Sequence, residues 1–473
     1  MTSQDPVALD RSRSNGGSSP DDAAAVMEQI RSGEITTVIV GGCDFSGLYR
    51  AKRMPADRFA AKRVPGLEFS EYMWAMDVDD YPQPTPEGFE GWPDWKTGFG
   101  DVEARADLET LRRVPWLERT AMVLCDYYYL DGSQYATAPR QVLRRILKRY
   151  EDQGLEPRMA PELEFIVFKE TEESAIAKGF RNLEPLFQHP MAYGGLRGTI
   201  DEHLIGDLVE GLRRIRVPVE AWNPEGAAGQ YELNIPHATA LEAADVGFLF
   251  KQGIKEMCGV RGLIATFMSK LTAADFGSSL HVHQSVWRDG ESTFFDGSRE
   301  DGMSDLLRHY VAGQLRTLIP FAPIWMPTPP AFKRGGAYTA AGTTESWGGD
   351  NKTLSLRVLA HEAGTCRLEH RVAGADANIY LTLAAMLAGG LWGIEKEVEL
   401  PPAYEGDAYA DPSLPTMPRT LEDAIPAFEQ SEVANEYLGE DFVRRYAATR
   451  RWEVEELRKD VSDLELKRYL IRG

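Results

Sequence analysis

Four short stretches place carboxylates, imidazoles and guanidiniums on alternate residues. PELEF sets Glu162 and Glu164 two apart, and EGAAGQYELN carries Glu225 followed by Gln230, Glu232 and Asn234. LHVHQS carries His281, His283 and Ser285, and RLEHR carries Arg367, Glu369 and Arg371. If each is a β-strand, its polar residues share a face, because successive side chains point to opposite sides. Leu163, Phe165, Tyr231, Leu233 and Val282 then fall on the other face. Solvated faces of antiparallel sheets also alternate, but they mix Lys, Thr, Ser and Gln. These four concentrate Glu and His, with Arg beside them. Converging, they would assemble five carboxylates and an imidazole. Two like charges about 4 Å apart repel by roughly 4 kcal/mol at an effective dielectric near 20, so the cluster needs divalent cations. Carboxylate-rich ligation with one His suits Mg²⁺ or Mn²⁺ better than structural zinc. Neighbouring arginines suit phosphate or carboxylate. The chemistry indicated is metal-assisted phosphoryl transfer. No GxxxxGK[ST], strand-following GxGxxG, kinase catalytic-loop or GxSxG motif occurs. Metals and arginines would therefore hold a triphosphate in place of a glycine-rich loop.

The elements that must position these residues are also legible. Residues 35–55 read as strand, turn and strand, broken by Gly41, Gly42 and Gly47, and 121–130 read as another strand. Residues 81–100, dense in Pro, Gly and Trp, predict a long ordered loop. A helix is expected from Pro139 to Gly154, with Val142, Ile146 and Tyr150 on one stripe, and a domain boundary just before it. Residues 377–394 are uncharged for 18 positions, the lower limit for a membrane span, but stand alone and are rich in Ala and Gly. A buried core helix is expected there. Residues 441–472 read as helical and amphipathic, and the first 23 residues as a disordered tail without the apolar core of a signal peptide. The 473 residues are enough for two domains, and the net charge of −21 argues against a nucleic-acid or anionic-membrane surface. Four scattered cysteines without CxxC spacing suit a reducing cytoplasm.

The order PELEF, EGAAGQYE, GSSLHVHQS, DNKT and RLEHRVAGADANIYL resembles the glutamine synthetase superfamily, across nearly the whole chain from about residue 36. The resemblance implies an α+β fold: a disordered tail over 1–23, a small β-grasp domain over 24–136 and a catalytic domain over 137–473. The latter would carry a curved antiparallel sheet, forming a funnel between adjacent subunits of a ring, commonly a dodecamer in bacteria. Carried onto this sequence, one metal site would be Glu164, Glu225 and Glu232, and a second Glu162, His281 and Glu369, for at least two Mg²⁺ or Mn²⁺. His283 and Ser285 would lie along the nucleotide, and Arg357 and Arg367 would face its phosphates. Arg334 and Arg371 would hold the carboxylate end of glutamate near Gly277. Asp44 would reach a neighbouring subunit's site and attract the amine; with Arg357 and Lys352 it makes up the catalytic set. The implied chemistry is phosphorylation of the γ-carboxylate of glutamate by ATP, followed by attack of an amine on the acyl phosphate.

Three positions depart from the ammonia-using pattern. Ala340 stands six residues after Arg334, where those enzymes carry a flap glutamate that helps form the ammonium pocket. Phe276 replaces the asparagine before Gly277, and Lys352 replaces the arginine of NR[ST], keeping charge but losing the bidentate fork. Tyr409 sits roughly where some bacterial enzymes are adenylylated, without that context, and reads as a surface tyrosine. The expectation is an ATP-dependent, cytoplasmic, homo-oligomeric ligase joining glutamate to an organic amine, with small molecules as its other partners. The alternatives are an ammonia-dependent glutamine synthetase and an inactive structural ring protein; the intact metal positions count against the latter.

Overall fold

The computed structural model describes residues 23–62, 66–85, 89, 91–336 and 339–472. The tail expected over residues 1–23 lies outside them, except that Ala23 opens the helix Ala23–Arg31. The first sheet contains β1 (Thr37–Cys43), β2 (Tyr49–Pro55), β3 (Gly66–Ser70), β4 (Asp101–Ala106), the short β5 (Arg112–Arg113) and β6 (Thr120–Tyr129). Its order is β2-β1-β6-β4-β3, with β5 beside β6. β1 runs antiparallel to β2 and parallel to β6, a mixed sheet consistent with a β-grasp. The strands expected at 35–55 and 121–130 are β1, β2 and β6. In the segment 81–100, Phe89 and Trp92 are buried against Ala75 and Ala448, while Trp95 is exposed; residues 86–88 and 90 lie outside the described set.

The second sheet contains β7 (Glu156–Phe168), β8 (Ala221–Pro224), β9 (Gln230–Asn234), β10 (Ala238–Thr239), β11 (Ile264–Thr266), β12 (Leu280–Arg288), β13 (Glu291–Ser292), β14 (Trp347–Gly348), β15 (Leu356–Leu359) and β16 (Arg367–His370). Its path is β14-β15-β16-β12-β7-β9-β8, antiparallel except for β14 with β15. All four polar stretches are therefore strands or strand flanks of one sheet. Leu163, Phe165, Tyr231, Leu233 and Val282, on the opposite face, are fully buried. Helices Pro139–Glu151 and Ala240–Gly259 pack on β7. Pro139 occupies the first turn, where its missing N–H costs nothing.

Helix Ile379–Glu395 fills the centre of the helical layer, with 14 of its 17 residues buried. Asn378 caps it by accepting from the Tyr380 and Leu381 N–H groups. Among the described residues, no helix is long and apolar enough to cross a membrane. The C-terminal stretch is two helices. Glu440–Arg458 buries a stripe, and a capping box between Ser462 and Glu465 starts a separate helix, Asp463–Tyr469, which buries none of its residues.

The two parts are tied by charge. Arg140, on the Pro139 helix, bonds Asp107 and Asp126 of the first part and Asp245 of the second at 2.7–2.9 Å. Arg112 donates to the Ile215 carbonyl at 2.8 Å, at the C-terminal end of helix Gly195–Arg214, where the helix dipole favours a cation.

Helices Asp305–Thr317 and Ile379–Glu395 cross at glycines: a Cβ on Gly313 would meet Gly393 Cα at 2.7 Å, and one on Gly393 would meet Gly313 Cα at 2.8 Å. Backbone cannot yield as a flexible side chain does. Gly313→Ala is therefore expected to cost about 1–3 kcal/mol in urea unfolding at fixed protein concentration, whereas Gly259→Ala, with nothing within 4 Å, should be neutral. Equal stability of the two variants would contradict this packing.

Candidate active site

Directly paired residues of antiparallel strands share a face, so the register places the polar residues in rows. Across β7, β9, β12, β15 and β16, Glu164 pairs with Glu232, Glu162 with Asn234 and His281, and Glu369 with His283 and Arg357. The rows bring Glu162, His281, His283 and Glu369 together. His281 Nδ1 lies 3.7 Å from Glu162 and 3.8 Å from Glu369. Those separations exceed a hydrogen bond, so Nδ1 faces both carboxylates without bonding closely to either. Burial, then the Arg371 charge, lowers the His281 pKa and keeps the ring neutral, as a metal ligand must be.

The three residues whose ligand atoms all lie within 4.8 Å of one another are Glu162, Glu369 and His283, so His283 stands where His281 was expected. Its hydrogen bonds distinguish it from His281. Arg367 Nε can only donate, so Nδ1 of His283 accepts at 3.2 Å and Nε2–H donates to Glu162 at 3.0 Å. His283 thus orients Glu162 through a donated hydrogen bond. Glu369 is clamped by Arg357 at 2.7 Å and by Arg371. Burial opposes ionisation of Glu162 and Glu369, but the imidazoles beside Glu162, and the imidazoles and arginines around Glu369, hold both well below the usual carboxylate range.

The other three glutamates differ. Glu164 accepts from Gln230 Nε2 and from the Ser279 N–H, each at 2.9 Å. Burial, then the facing Glu232 carboxylate, pushes Glu164 up to about 8; burial, then Glu162 and Glu225, pushes Glu232 up to about 7. Glu225, steered by Asn223 at 2.9 Å, is raised too, chiefly by burial. Lys352 is exposed, and its charge acts on Glu225 and Glu232 from a distance. Among the described residues, the ligand atoms near enough to share one cation are those of Glu162, His283 and Glu369; Glu164, Glu225 and Glu232 add carboxylate oxygens to the same face.

Arg334 is buried beside Gly277, whose φ of +94° and close approach to Arg334 Cγ (2.8 Å from a built Cβ) require glycine. Arg334 donates to Ser279 Oγ at 3.0 Å and to the Val372 carbonyl, leaving its buried Nε without a partner. Arg371 donates to the Ala340 carbonyl at 3.0 Å. Ala340 has a left-handed φ of +58°, and Tyr409 donates to the next carbonyl, Ala341, at 2.9 Å. Tyr409 is therefore half-buried and anchors the flap segment, contrary to the reading as a surface residue. Phe276 is half-exposed, its ring 3.0 Å from a Cβ built on Gly226, next to Glu225.

Asp44 is not brought to this cluster within the chain. It lies in the β1–β2 turn, accepting from the Leu48 N–H at 2.9 Å and from Arg50 at 2.8 Å, and burial raises its pKa. Ser285 is further along β12, accepting from Trp287 at 2.8 Å. Trp287 stacks with His237, ring centroids 6.3 Å apart, and Arg158 lies 4.2 Å over its ring. This aromatic edge, and Tyr193, whose N–H donates to Pro224 and whose phenol feels Glu225 and Glu232, were missed by sequence reasoning. Trp287 continues the alternation of LHVHQSVW and could have been found; Tyr193, in an irregular loop, left no signal.

Comparison with known proteins agrees with this geometry. The profile of the family "Glutamine synthetase, catalytic domain" matches residues 136–469. A glutamate–isopropylamine ligase of a Pseudomonas species is 33% identical, covering 94% of this chain and 97% of its own. A γ-glutamylethanolamide synthetase, GlnA4, of Streptomyces coelicolor is 36% identical, covering 93% of each chain. The solved structure of a GmaS–ADP complex superposes with a TM-score of 0.81 at 27% identity, covering 94% of this chain and 99% of that one. The chain belongs to the glutamine synthetase family, as a carbon–nitrogen ligase that stands with its γ-glutamylamide-forming members.

Proposed function

We propose that the protein is an ATP-dependent ligase that joins the γ-carboxylate of L-glutamate to an organic amine through a γ-glutamyl phosphate, releasing ADP and phosphate. The observation that carries the reading is a complete carboxylate face beside an amine side that has lost charge: Ala340 replaces a flap carboxylate and Phe276 puts a ring next to Glu225. The isopropylamine ligase and the ethanolamide synthetase among the relatives support it.

In this reading Glu164, Glu225 and Glu232 hold one Mg²⁺ or Mn²⁺, and Glu162, His281 and Glu369 a second. Bound there, such cations would neutralise charge on a transferring phosphoryl group. Arg357 and Arg367 face the phosphates, with Lys352 adding charge at the rim. His283 and Ser285 run along the nucleotide toward the Trp287 edge. Arg334 and Arg371 hold glutamate's carboxylate end, where Gly277 lets the substrate approach the backbone. Asp44 takes a proton from the amine at a neighbouring subunit's site; the pKa rise caused by burial suits it to that task. That arrangement requires a ring oligomer, in the family's manner a dodecamer. The four cysteines are free, which fits a reducing cytoplasm.

Metal binding must expel protons from Glu164 and Glu232. Each has a folded pKa above the ordinary 4.5, so the native state holds protons the unfolded chain has lost. Their contribution to metal-free stability therefore falls as pH rises from about 4.5 toward 8, and a bound cation removes that loss. The rise in Tm on adding Mn²⁺ should grow between pH 6 and 8.5, with affinity gaining up to about tenfold per pH unit per proton expelled. A flat or shrinking increment in differential scanning fluorimetry would contradict this assignment.

Losing a charged contact to a buried cation costs roughly 1.5–3 kcal/mol, about ten- to a hundredfold in affinity. Burying carbon returns about 0.8 kcal/mol per CH₂, so three or four carbons offset the loss. Phosphate release with ATP, Mg²⁺ and glutamate should accordingly show a higher kcat/KM for propylamine-sized or larger amines than for ammonium. Ala340→Glu should shift the preference toward ammonium, and Phe276→Ala should raise KM for the organic amine several-fold while sparing ammonium. Preference for ammonium over alkylamines, ethanolamine, polyamines and anilines alike would make the protein an ammonia-dependent glutamine synthetase.

A further inference from the structure

The turn at residues 374–378, just after RLEHR, touches three separate arms of the site. Asp376 offers one carboxylate oxygen to each of two hydroxyls. Oδ1 accepts from Ser269, on the segment leading to Gly277, and Oδ2 accepts from Thr328 at 2.5 Å. Thr328 is the N-cap of Pro329–Arg334, the short helix that ends in Arg334. Main-chain bonds reinforce both arms: the Ala375 N–H donates to the Ser278 carbonyl and the Gly374 N–H to the Trp325 carbonyl, each at 3.0 Å. A Cβ on Gly374 would collide with the Ser269 hydroxyl and lie 2.7 Å from Asp376 Oδ1, so the carboxylate sits on backbone that only glycine fits.

The third arm leaves from Asn378, two residues on and 2% exposed. While its Oδ1 caps the core helix, its Nδ2 donates to the Asp44 carbonyl at 2.9 Å and the Phe45 carbonyl at 3.3 Å. The turn is backed by buried Lys251, whose Nζ donates to the carbonyls of Ala375 at 2.7 Å and Ala377 at 3.0 Å. A turn that only filled space would not need a carboxylate above and a buried amine donor below. Charge-assisted bonds are shorter and about twice as strong as neutral ones, which suits a junction that must keep three arms in register.

We infer that Asp376 is a positioning residue. It sets the Arg334 helix against the Gly277 loop, and through Asn378 the same turn sets the hairpin that carries Asp44. The inference rests on the proposed assignment of Arg334 and Gly277 to glutamate and of Asp44 to the amine. In a ring, the turn links one subunit's glutamate clamp to the amine pocket that its Asp44 serves next door.

Thr328→Val and Asp376→Ala test the clamp arm, and Asn378→Ser, which keeps the helix cap, tests the hairpin arm. Glutamate affinity is read by calorimetry with Mg²⁺ and a non-hydrolysable ATP analogue, and kcat and KM by phosphate release. The clamp variants should weaken glutamate by about tenfold or more, the loss expected for a charge-assisted bond, and leave nucleotide affinity unchanged. Thr328→Ser should restore it. Asn378→Ser should leave glutamate affinity alone and raise KM for the amine. Ser269→Ala carries the clamp expectation if Asp376→Ala does not fold. A lower Tm with unchanged glutamate affinity in Thr328→Val, or equal losses for glutamate and amine in every variant, overturns the positioning role. A wild type that binds no glutamate overturns the ligase reading together with this assignment; a wild type that binds it no better than Thr328→Val overturns only the latter.

Discussion

Five glutamates share one face of one sheet, and their mutual repulsion is the constraint that the rest of the molecule answers. The answer is uneven. Glu369 lies between Arg357 and Arg371, and Glu162 lies beside two imidazoles, so both stay ionised. Glu164 and Glu232 face each other with only neutral donors, Gln230, Asn234 and the Ser279 N–H, and keep their protons to about 8 and about 7. A like pair about 4 Å apart costs roughly 4 kcal/mol at an effective dielectric near 20, which proton uptake relieves in the metal-free chain. One half of the face is thus charged in the chain by itself, and the other half is held toward the neutral form by burial and like charge.

The remainder of the catalytic part holds this face still. Its back is apolar and covered by helices, two of which cross at glycine so closely that a methyl group has no place. Arg334 and Arg371 are buried, and each has an Nε without a hydrogen-bond partner. The flap is different: its backbone hangs between Arg371 and the Tyr409 hydroxyl, and a cavity of about 470 Å³ lies behind it, lined in part by Phe332, Gly342, Tyr409 and Met417.

Much of this was legible in the sequence because strand alternation is local. RLEHR and LHVHQS report their own faces, and the hairpin at 35–55 and the core helix after Asn378 announce themselves through glycine and apolar runs. What was not legible depended on contacts between distant segments. The separate roles of His281 and His283, two residues apart, are decided by Arg367, and the anchoring role of Tyr409 by a carbonyl 68 residues away. The grip of Asn378 on the hairpin arises only once the two parts dock. The C-terminal stretch misled because amphipathic periodicity continues across the Ser462 cap, which splits it.

The central claim is that the carboxylate face exists to make the γ-carboxylate of glutamate a phosphate acceptor. In that chemistry a carboxylate oxygen bonds to phosphorus, the amine nitrogen then bonds to carbon, and the carbon–oxygen bond that breaks sends that oxygen away with phosphate. Turnover with γ-carboxylate-¹⁸O-labelled glutamate, ATP, Mg²⁺ and a propylamine-sized amine measures it directly. The account predicts one ¹⁸O atom in each phosphate released. Amine-dependent phosphate carrying no label would contradict it.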